Sequence, residues 1–334
     1  MERKLNPALT VVKEGWEGNT VIDGRFHNGA ESENISFGKI LKWRFSSNPQ
    51  RDEKRNDTFR LQVSPFDTSV MPKNSITWLG HSSFLIDANG VRMITDPCFF
   101  DLPSGRRKAA LPCTADSLTS IDYLLVSHDH RDHFDRKSVE ILAKNNPEME
   151  ALIPLGGGRL FGGKKLSGIR RQEAGWYQEY VVKEGIRIIF LPAKHWGRRG
   201  LNDFNTTLWG SFLIIAAGTK IFFAGDSAYD EDIFKEIRDL FGDIDICMLP
   251  VGAYSPPFIM KQAHINPEEA VQTFLDLGGK RLIPMHYGTY ILSDEPPGEP
   301  LKRLRRCAAE NRIEQTICEL TEGQSINYEL RTTS

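Results

Sequence analysis

Residues 126–133 read Val-Ser-His-Asp-His-Arg-Asp-His, and this stretch decides both the fold and the chemistry of the chain. It follows an apolar run that predicts a strand and precedes a segment with helical spacing of apolar residues. A loop at the carboxyl end of a strand is where α/β proteins place their sites. The order His-x-His-x-Asp-His lets one tight loop offer imidazoles to one metal ion and a carboxylate with an imidazole to a second. A purely structural cluster is disfavoured, because closely packed histidines repel one another when protonated.

The composition is that of a globular protein. With 334 residues, of which 40% are hydrophobic, the chain can bury a substantial core. Its 42 basic and 44 acidic residues give a formal net charge of -2, so we expect no bulk attraction to nucleic acid or to an anionic membrane. The five cysteines are odd in number and dispersed, which favours reduced thiols.

The sequence shows neither a targeting signal nor a membrane-spanning segment. The first residues lack an apolar stretch with a small-residue cleavage site, and the apolar run 212–217 is too short to span a bilayer. We therefore predict a mature, cytoplasmic protein.

Residues 1–74 are polar and turn-rich, and we predict them to be an N-terminal extension that packs on the core of a catalytic domain at residues 75–334. Within the extension, residues 37–45 mix aromatic and aliphatic side chains with lysines and an arginine. Two interpretations stay open. An arm that packs its apolar side on the core is favoured for so short a stretch, and the alternative is a peripheral contact with a membrane surface.

From residue 75 onward, short strand-like segments alternate with helical patterns. The predicted strands are 75–79, 83–87, 91–95, 123–127, 186–191, 208–215, 220–224, 245–250 and 281–285, with a hairpin turn at 88–90. The predicted helices are 136–144, 231–241 and 267–277, the last preceded by Asn266 as a cap and strengthened by Pro267 and Glu269. This order predicts a layered α/β protein with mixed sheets.

The segment His128-x-His130-x-Asp132-His133 resembles the signature of metallo-β-lactamase-fold hydrolases. The resemblance implies an αβ/βα four-layer sandwich with two mixed β-sheets. It also implies three further donors at downstream strand ends, for which the chain offers His195, Asp226 and His286.

By the same resemblance, His128, His130 and His195 bind a first metal ion, Asp132, His133 and His286 bind a second, and Asp226 bridges the two. Two zinc ions that share a carboxylate and a water would lower the pKa of that water, so a bridging hydroxide becomes the nucleophile. Manganese and iron stay open as alternatives. Oxygen-reducing di-iron members of the fold favour a glutamate where this chain has His130, which argues for zinc.

Asp96, in Thr95-Asp96-Pro97, resembles an early family motif whose carboxylate orients a metal-bound imidazole without binding the metal. The alternative is a turn residue that caps a strand end. For His81, a structural role and a supporting role beside the metal ligands are equally favoured.

The region from about residue 78 to about residue 305 resembles a narrower group, the N-acyl-phosphatidylethanolamine-hydrolysing phospholipase D enzymes and their bacterial relatives, which adjoin the ascorbate-6-phosphate lactonase group. The matching stretches are 78–84, 195–199, 208–211, 222–226, 250–254, 262–270 and 286–289, with weaker likeness at 24–28 and 41–43. The resemblance implies that His264 faces the substrate phosphate.

Further candidates for substrate binding lie in these stretches. Trp196, Arg198 and Arg199 follow a predicted metal ligand, so we expect them to line the substrate channel, with arginine pairing to phosphate; the alternative is a solvated basic turn. Tyr254 belongs to another matching stretch. The glycines of segment 156–163 lack the spacing of a phosphate-binding loop and predict a flexible loop.

The donor motif and the resemblance together imply a zinc-dependent hydrolase with Asp132, Asp226 and His264 as its catalytic side chains. Most specifically they imply a phosphodiesterase of the phospholipase D type that acts on an N-acyl-phosphatidylethanolamine-like or another amphipathic phosphodiester, a small-molecule or lipid substrate. A lactonase or thioesterase-like hydrolase on the same site is the main alternative, because metal ligands determine the nucleophile and not the electrophile. A non-catalytic metal-binding protein is a lesser one. Whether the chain forms a homodimer stays open.

Overall fold

The structure is a computed structural model that describes residues 1–27, 38, 42, 43 and 45–329. Residues 37, 39–41 and 44 of the predicted amphipathic segment lie outside the described residues, as does Asn28 of the weakly matching stretch 24–28.

Strands dominate the described residues, and short helices connect them. The strands are β1 (Glu2–Lys4), β2 (Thr10–Val11), β3 (Asn19–Ile22), β4 (Arg25–Phe26), β5 (Ser75–Gly80), β6 (Ser83–Ala88), β7 (Val91–Thr95), β8 (Tyr123–Leu125), β9 (Glu150–Pro154), β10 (Arg170–Ala174), β11 (Gln178–Tyr180), β12 (Ile186–Leu191), β13 (Ser211–Ala216), β14 (Thr219–Phe223), β15 (Ile246–Pro250), β16 (Arg281–Met285) and β17 (Ser325–Asn327). The α-helices are α1 (Arg51–Asn56), α2 (Arg136–Asn145), α3 (Glu231–Phe241), α4 (Pro257–Met260), α5 (Pro267–Asp276) and α6 (Glu299–Glu310). Short 3₁₀ turns lie at Thr68–Val70, Ala115–Ser117, Gly157–Phe161 and Glu314–Thr316.

Two mixed sheets form the centre of the fold. The first has the order β10-β9-β8-β7-β6-β5-β17, and the second has the order β16-β15-β14-β13-β12-β11-β2. In each sheet an antiparallel meander passes into parallel strands, from β7 to β10 in the first and from β14 to β16 in the second. A small three-stranded sheet joins β1, β3 and β4.

The two sheets pack face to face, and helices cover their outer faces. The largest apolar cluster mixes side chains of the first sheet, such as Trp78 and Ile86, with side chains of the second, such as Ile188 and Phe212. Strands β5, β6 and β15 are buried along their whole length, so they carry apolar residues on both faces. Helices α3, α5 and α6 contribute to this cluster, whereas α2 packs on the other face of the first sheet. The predicted four-layer α/β sandwich is confirmed.

The predicted elements from residue 75 onward are present, with shifts at their ends. The strand predicted at 208–215 begins at Ser211, because the backbone N–H of Gly210 donates to the carbonyl of Ser127 and not to a neighbouring strand. Helix α5 begins with the predicted capping box between Asn266 and Glu269.

Residues before 75 also enter the fold, since β2 pairs with β11 at the edge of the second sheet. A boundary between an extension and a catalytic domain at residue 75 stays a prediction. No helix within the described ranges is long and apolar enough to cross a bilayer.

Candidate metal centre and active site

Loops at one edge of both sheets bring the predicted donors together. The first sheet supplies Asp96 after β7 and the segment 128–133 after β8. The second supplies His195 after β12, Asp226 after β14 and His286 after β16. The carboxyl ends of parallel strands share one edge of a sheet, which explains why residues distant in the chain meet here.

The first donor cluster consists of His128, His130 and His195. Nδ1 of His130 lies 2.9 Å from Nε2 of His128 and 3.2 Å from Nε2 of His195. Ligands about 2.0–2.1 Å from a tetrahedral zinc ion are roughly 3.3 Å apart, so three ring nitrogens at such separations surround a point that suits a metal ion.

The second donor cluster consists of Asp132, His133, Asp226 and His286. Oδ2 of Asp226 lies 3.1 Å from Nε2 of His133 and 3.2 Å from Nε2 of His286. Oδ2 of Asp132 lies 3.6 Å from each of the same two nitrogens. Asp226 also reaches toward the first cluster, because its Oδ2 is 4.0 Å from Nε2 of His128.

Within the described part of the chain, buried donor atoms of the site lack hydrogen-bond partners, which metal ions would replace. Both carboxylate oxygens of Asp226 and Nε2 of His133 and His286 are buried and lack a hydrogen-bond partner among the described residues. Burying a carboxylate without hydrogen bonds is costly, and metal coordination satisfies it. Nitrogen and oxygen donors without thiolates suit zinc, manganese and iron, so the donor set does not select among these three metals.

Contacts behind the donors orient their rings. Oδ2 of Asp96 lies 2.7 Å from Nδ1 of His133, and Oδ1 of Asp96 accepts from the backbone N–H of Ser127. The Ser127 hydroxyl lies 2.9 Å from Nδ1 of His128, and Nδ1 of His195 lies 2.8 Å from the carbonyl of Ala263. Such contacts leave the opposite ring nitrogen free for a metal ion. The geometry of Asp96 is that of the supporting role predicted for it.

His81 lies against the second cluster. Its Nε2 is 3.1 Å from Oδ2 of Asp132, and its ring centroid is 4.0 Å from that of His286. Burial lowers the pKa of His81 to about 3, so the ring is neutral. The structure therefore places His81 where it can orient Asp132. The sequence favours a structural and a supporting role equally, and the choice between them stays a prediction.

Burial and nearby charges shift the pKa values of the site's imidazoles in opposite directions. Burial lowers the pKa of His128 and His195 well below the ordinary value, and it lowers the pKa of His264 to about 4. Burial would also lower the pKa of His286, but the carboxylates of Asp226 and Asp132 outweigh it and raise that pKa to about 9. Neutral imidazoles in the first cluster are ready to bind a metal ion.

A cavity of about 420 Å³ opens on the donor clusters. Its floor includes Asp132, Asp226, His264 and His286, and its walls are mostly apolar: Trp43, Leu102, Trp196, Phe204, Ile259, Met260 and Leu292. Nδ1 of His264 lies 3.7 Å from Oδ2 of Asp226 and lacks a hydrogen-bond partner within the described ranges. His264 thus stands between the clusters and the cavity.

The structure brings two of the other predicted substrate residues to this cavity. The Trp196 ring packs edge-on against His130 with centroids 4.3 Å apart, and Arg198 also lines the cavity. Arg198 donates from Nε and Nη2 to the carbonyls of Gly200 and Leu201.

Arg199 and Tyr254 are not among the described residues that line the cavity. Nη1 of Arg199 donates to the carbonyls of Asp129, His130 and Phe134, so its guanidinium holds the backbone of the donor loop. The Tyr254 hydroxyl donates to Glu299, and its ring lies under the guanidinium of Arg303. Their polar groups are thus engaged by other segments, and their contact with a substrate stays a prediction.

Some residues of the site escape sequence reasoning. Ser127 stands directly before the first histidine of the motif, and a hydroxyl at that position was the available signal for its contact with His128. The apolar walls come from separate loops, with Leu102, Phe204 and Leu292 as examples, and no spacing in the sequence marks them.

The fold and the donor clusters together define the metallo-β-lactamase class of metal-dependent hydrolases. The model of the beta-lactamase superfamily domain matches residues 92–287, and the chain belongs to this family. The predicted family is confirmed.

Two relatives are named as enzymes of the narrower group. The N-acyl-phosphatidylethanolamine-hydrolyzing phospholipase D 1 of Caenorhabditis elegans is 36% identical over 229 residues, which are 64% of this chain and 64% of that protein. The mitochondrial enzyme of the same name from Saccharomyces cerevisiae is 34% identical over 243 residues, 70% of this chain and 51% of that protein. The aligned region thus spans between half and two thirds of these relatives. Their names support the prediction of a hydrolytic enzyme.

Solved structures share the fold at low sequence identity. Igni18, a metallo hydrolase from Ignicoccus hospitalis, has a TM-score of 0.59 and 18% identity, and the match covers 77% of this chain and 99% of that one. An isothiocyanate hydrolase from Delia radicum gut bacteria has a TM-score of 0.59 and 15% identity, with 77% and 100% covered.

Proposed function

We propose that the protein is a zinc-dependent phosphodiesterase of the phospholipase D type, which hydrolyses an N-acyl-phosphatidylethanolamine-like or another amphipathic phosphodiester. The observation that carries this proposal is the apolar cavity that opens directly on the two donor clusters. The 36% identity with the nematode phospholipase D supports the same class of substrate.

The two ends of the cavity differ in chemistry. The apolar walls suit an acyl chain, because burying each methylene contributes about 0.8 kcal/mol. The floor carries carboxylates and imidazoles that suit a phosphate once metal ions neutralise their charge. A molecule with an apolar tail and a phosphodiester head matches both ends.

Metal ions held by the two clusters would supply an activated water and would neutralise charge on the phosphate oxygens. Asp226 lies between the clusters, with Oδ2 4.0 Å from Nε2 of His128 and 3.1 Å from Nε2 of His133, where it would bridge two metal ions. His264 is neutral at pH 7 and offers a ring nitrogen to the phosphate from the floor of the cavity. Trp196 covers His130 and limits the access of bulk water to the first cluster.

The decisive experiment is hydrolysis of N-palmitoyl phosphatidylethanolamine in detergent micelles by the zinc-loaded protein, carried out in ¹⁸O-water. We expect the phosphorus–oxygen bond to the acylethanolamine to break. The label should then appear in phosphatidic acid, and the released N-acylethanolamine should carry none. Mass spectrometry of both products measures this directly.

The matched variants are Asp226→Asn, which should abolish turnover, and Arg170→Gln on the exposed edge strand, which should leave it unchanged. Lactone and thioester substrates are assayed in parallel. Turnover of these with none of any phosphodiester would replace the proposal by the lactonase or thioesterase alternative. Metal binding without turnover of any substrate would leave a non-catalytic metal-binding protein.

A further inference from the structure

The glycine-rich segment 156–163 is an ordered turn that packs beside the donor loop. It forms the 3₁₀ turn Gly157–Phe161, and the side chains of Leu160 and Phe161 are buried. The structure thus shows a 3₁₀ turn within the segment whose glycines predict a flexible loop, and its flexibility stays a prediction. The segment anchors itself in the core and presents one long polar side chain, Arg159, to its neighbours.

The glycines are needed for close approach. Gly156 has a φ of 80°, and a Cβ atom there would lie 2.3 Å from the carbonyl oxygen of Thr206. A Cβ atom on Gly158 would lie 2.4 Å from Oε1 of Glu173. A side chain at Gly156 would push the turn away from the segment that follows His195, because real Cβ atoms do not approach a backbone carbonyl so closely. At Gly158 the neighbour is the end of the Glu173 side chain on β10, which can move.

Arg159 uses three of its nitrogens at once. Nη2 donates to Oδ2 of Asp129 at 2.5 Å, Nη1 donates to Oδ2 of Asp203 at 3.1 Å, and Nε donates to Oγ1 of Thr207 at 2.9 Å. The planar guanidinium fork suits such simultaneous contacts, which a lysine could not reproduce.

The three partners of Arg159 lie on the segments that supply the first donor cluster. Asp129 stands between His128 and His130, and its side chain is fully buried. Asp203 and Thr207 lie 8 and 12 residues after His195, in the loop between β12 and β13. The two segments touch directly, since a Cβ atom on Gly197 would lie 2.9 Å from Oδ1 of Asp129.

We infer that Arg159 is a positioning residue for the first donor cluster, His128, His130 and His195. By joining Asp129 to Asp203 and Thr207, it holds His195 at the correct distance from the two histidines of the donor loop. Without Arg159, the Asp129 carboxylate would be buried and unpaired, so the two segments would separate to let water reach it. Arg159 is not among the described residues that line the cavity, so it acts through the metal ligands and not on the substrate.

The experiment measures zinc affinity of the full chain, stripped of metal and titrated against a chromogenic chelator, in two backgrounds. Asp132→Ala weakens the second cluster, and His195→Ala weakens the first. In the Asp132→Ala background we expect Arg159→Met to weaken zinc binding by about 10- to 100-fold, the usual effect of removing a partner behind the ligands. In the His195→Ala background the same substitution should leave zinc affinity unchanged.

Controls separate positioning from general destabilisation. Arg171→Met removes an exposed arginine near the same turn and should change neither affinity. If Arg159 acts through Asp129, Arg159→Met should have no further effect once Asp129→Asn is present. Equal zinc affinity with and without Arg159, or an equal loss in both backgrounds, would overturn the inference. The inference rests on the proposed metal centre, and a wild-type chain that binds no metal would refute that centre separately.

Discussion

Nη2 of Arg107 lies 2.6 Å from Oε2 of Glu322, and both side chains are almost completely buried. The pair joins the C-terminal part of the chain to the active-site edge, because Oε1 of Glu322 accepts from the hydroxyl of Thr289, which in turn accepts from the backbone N–H of His81. Removing one partner of such a pair leaves an uncompensated charge. We expect Arg107→Met to lower the free energy of unfolding by about 3–5 kcal/mol, measured by urea denaturation.

The double variant Arg107→Met with Glu322→Leu should recover much of that loss, because no buried charge remains. A single variant as stable as the wild type would show that the pair contributes nothing.

The Asp226→Ala substitution should remove metal from both clusters. Its Oδ2 lies near His133 and His286 of the second cluster and reaches toward His128 of the first. Elemental analysis of the purified variant measures the loss. Asp232→Asn, an exposed carboxylate on α3, is the control and should keep the wild-type metal content. Full metal content in Asp226→Ala would contradict a bridging carboxylate.

The His264→Ala substitution should preserve metal and reduce turnover. His264 is part of the cavity floor, and its ring lies close enough to Asp226 and His286 to be a metal donor. We predict instead that it contacts the phosphate of the proposed substrate, so that its loss removes this interaction and leaves the metal in place. Loss of one preorganised hydrogen-bond donor to the transition state typically reduces kcat by about 10²–10³-fold. Both kcat and metal content are measured for the variant, and His27→Ala, remote in sequence, is the control. A variant that loses metal would make His264 a ligand.

Zinc binding should release protons at pH 7.5. Burial would lower the pKa of His286, but Asp226 and Asp132 raise it to about 9, so the metal-free protein holds a proton there that a metal ion must displace. Zinc affinity should therefore increase with pH and level off above about 9. Calorimetry in buffers of different ionisation enthalpy measures the released protons. A zinc affinity that stays the same between about pH 6 and about pH 9 would contradict this expectation.

Catalytic efficiency should rise with the length of the acyl chain. The cavity walls are apolar, and about 0.8 kcal/mol per buried methylene corresponds to about a fourfold gain in kcat/KM for each one until the cavity is full. Moderate salt should have little effect, because screening weakens mainly exposed charges and the formal net charge is only -2. Equal kcat/KM for substrates with butanoyl and dodecanoyl chains would count against an acyl-binding cavity.

The metal-donor residues could be predicted from the sequence, because donor side chains cluster in short, recognisable segments. Four donors in one loop, and single donors directly after strand-like runs, can be recognised without a structure, and the structure brings all seven together. Strands from β5 to β8 and from β12 to β16 were predictable for a similar reason, since buried strands carry dense apolar runs.

Elements whose stability comes from distant partners were not predictable. Strand β17 carries few apolar residues and exists because it pairs with β5, far away in the chain. Arg199 and Tyr254 stand in matching stretches beside the site, yet carbonyls and carboxylates of other segments take up their polar groups. The direction of a side chain in a loop depends on its tertiary contacts, and a local sequence pattern does not predict these contacts.

The predicted metal ligands follow strands of both sheets, and this has a consequence for how the protein is made. Asp132 and His133 leave the ribosome before strands β11 to β16, whereas His286 follows all the strands of the second sheet. The nascent chain therefore exposes a partial set of donors before the remaining ligands exist. A metal ion captured at that stage would be held by an incomplete set of ligands and could exchange until the finished sandwich supplies the remaining donors.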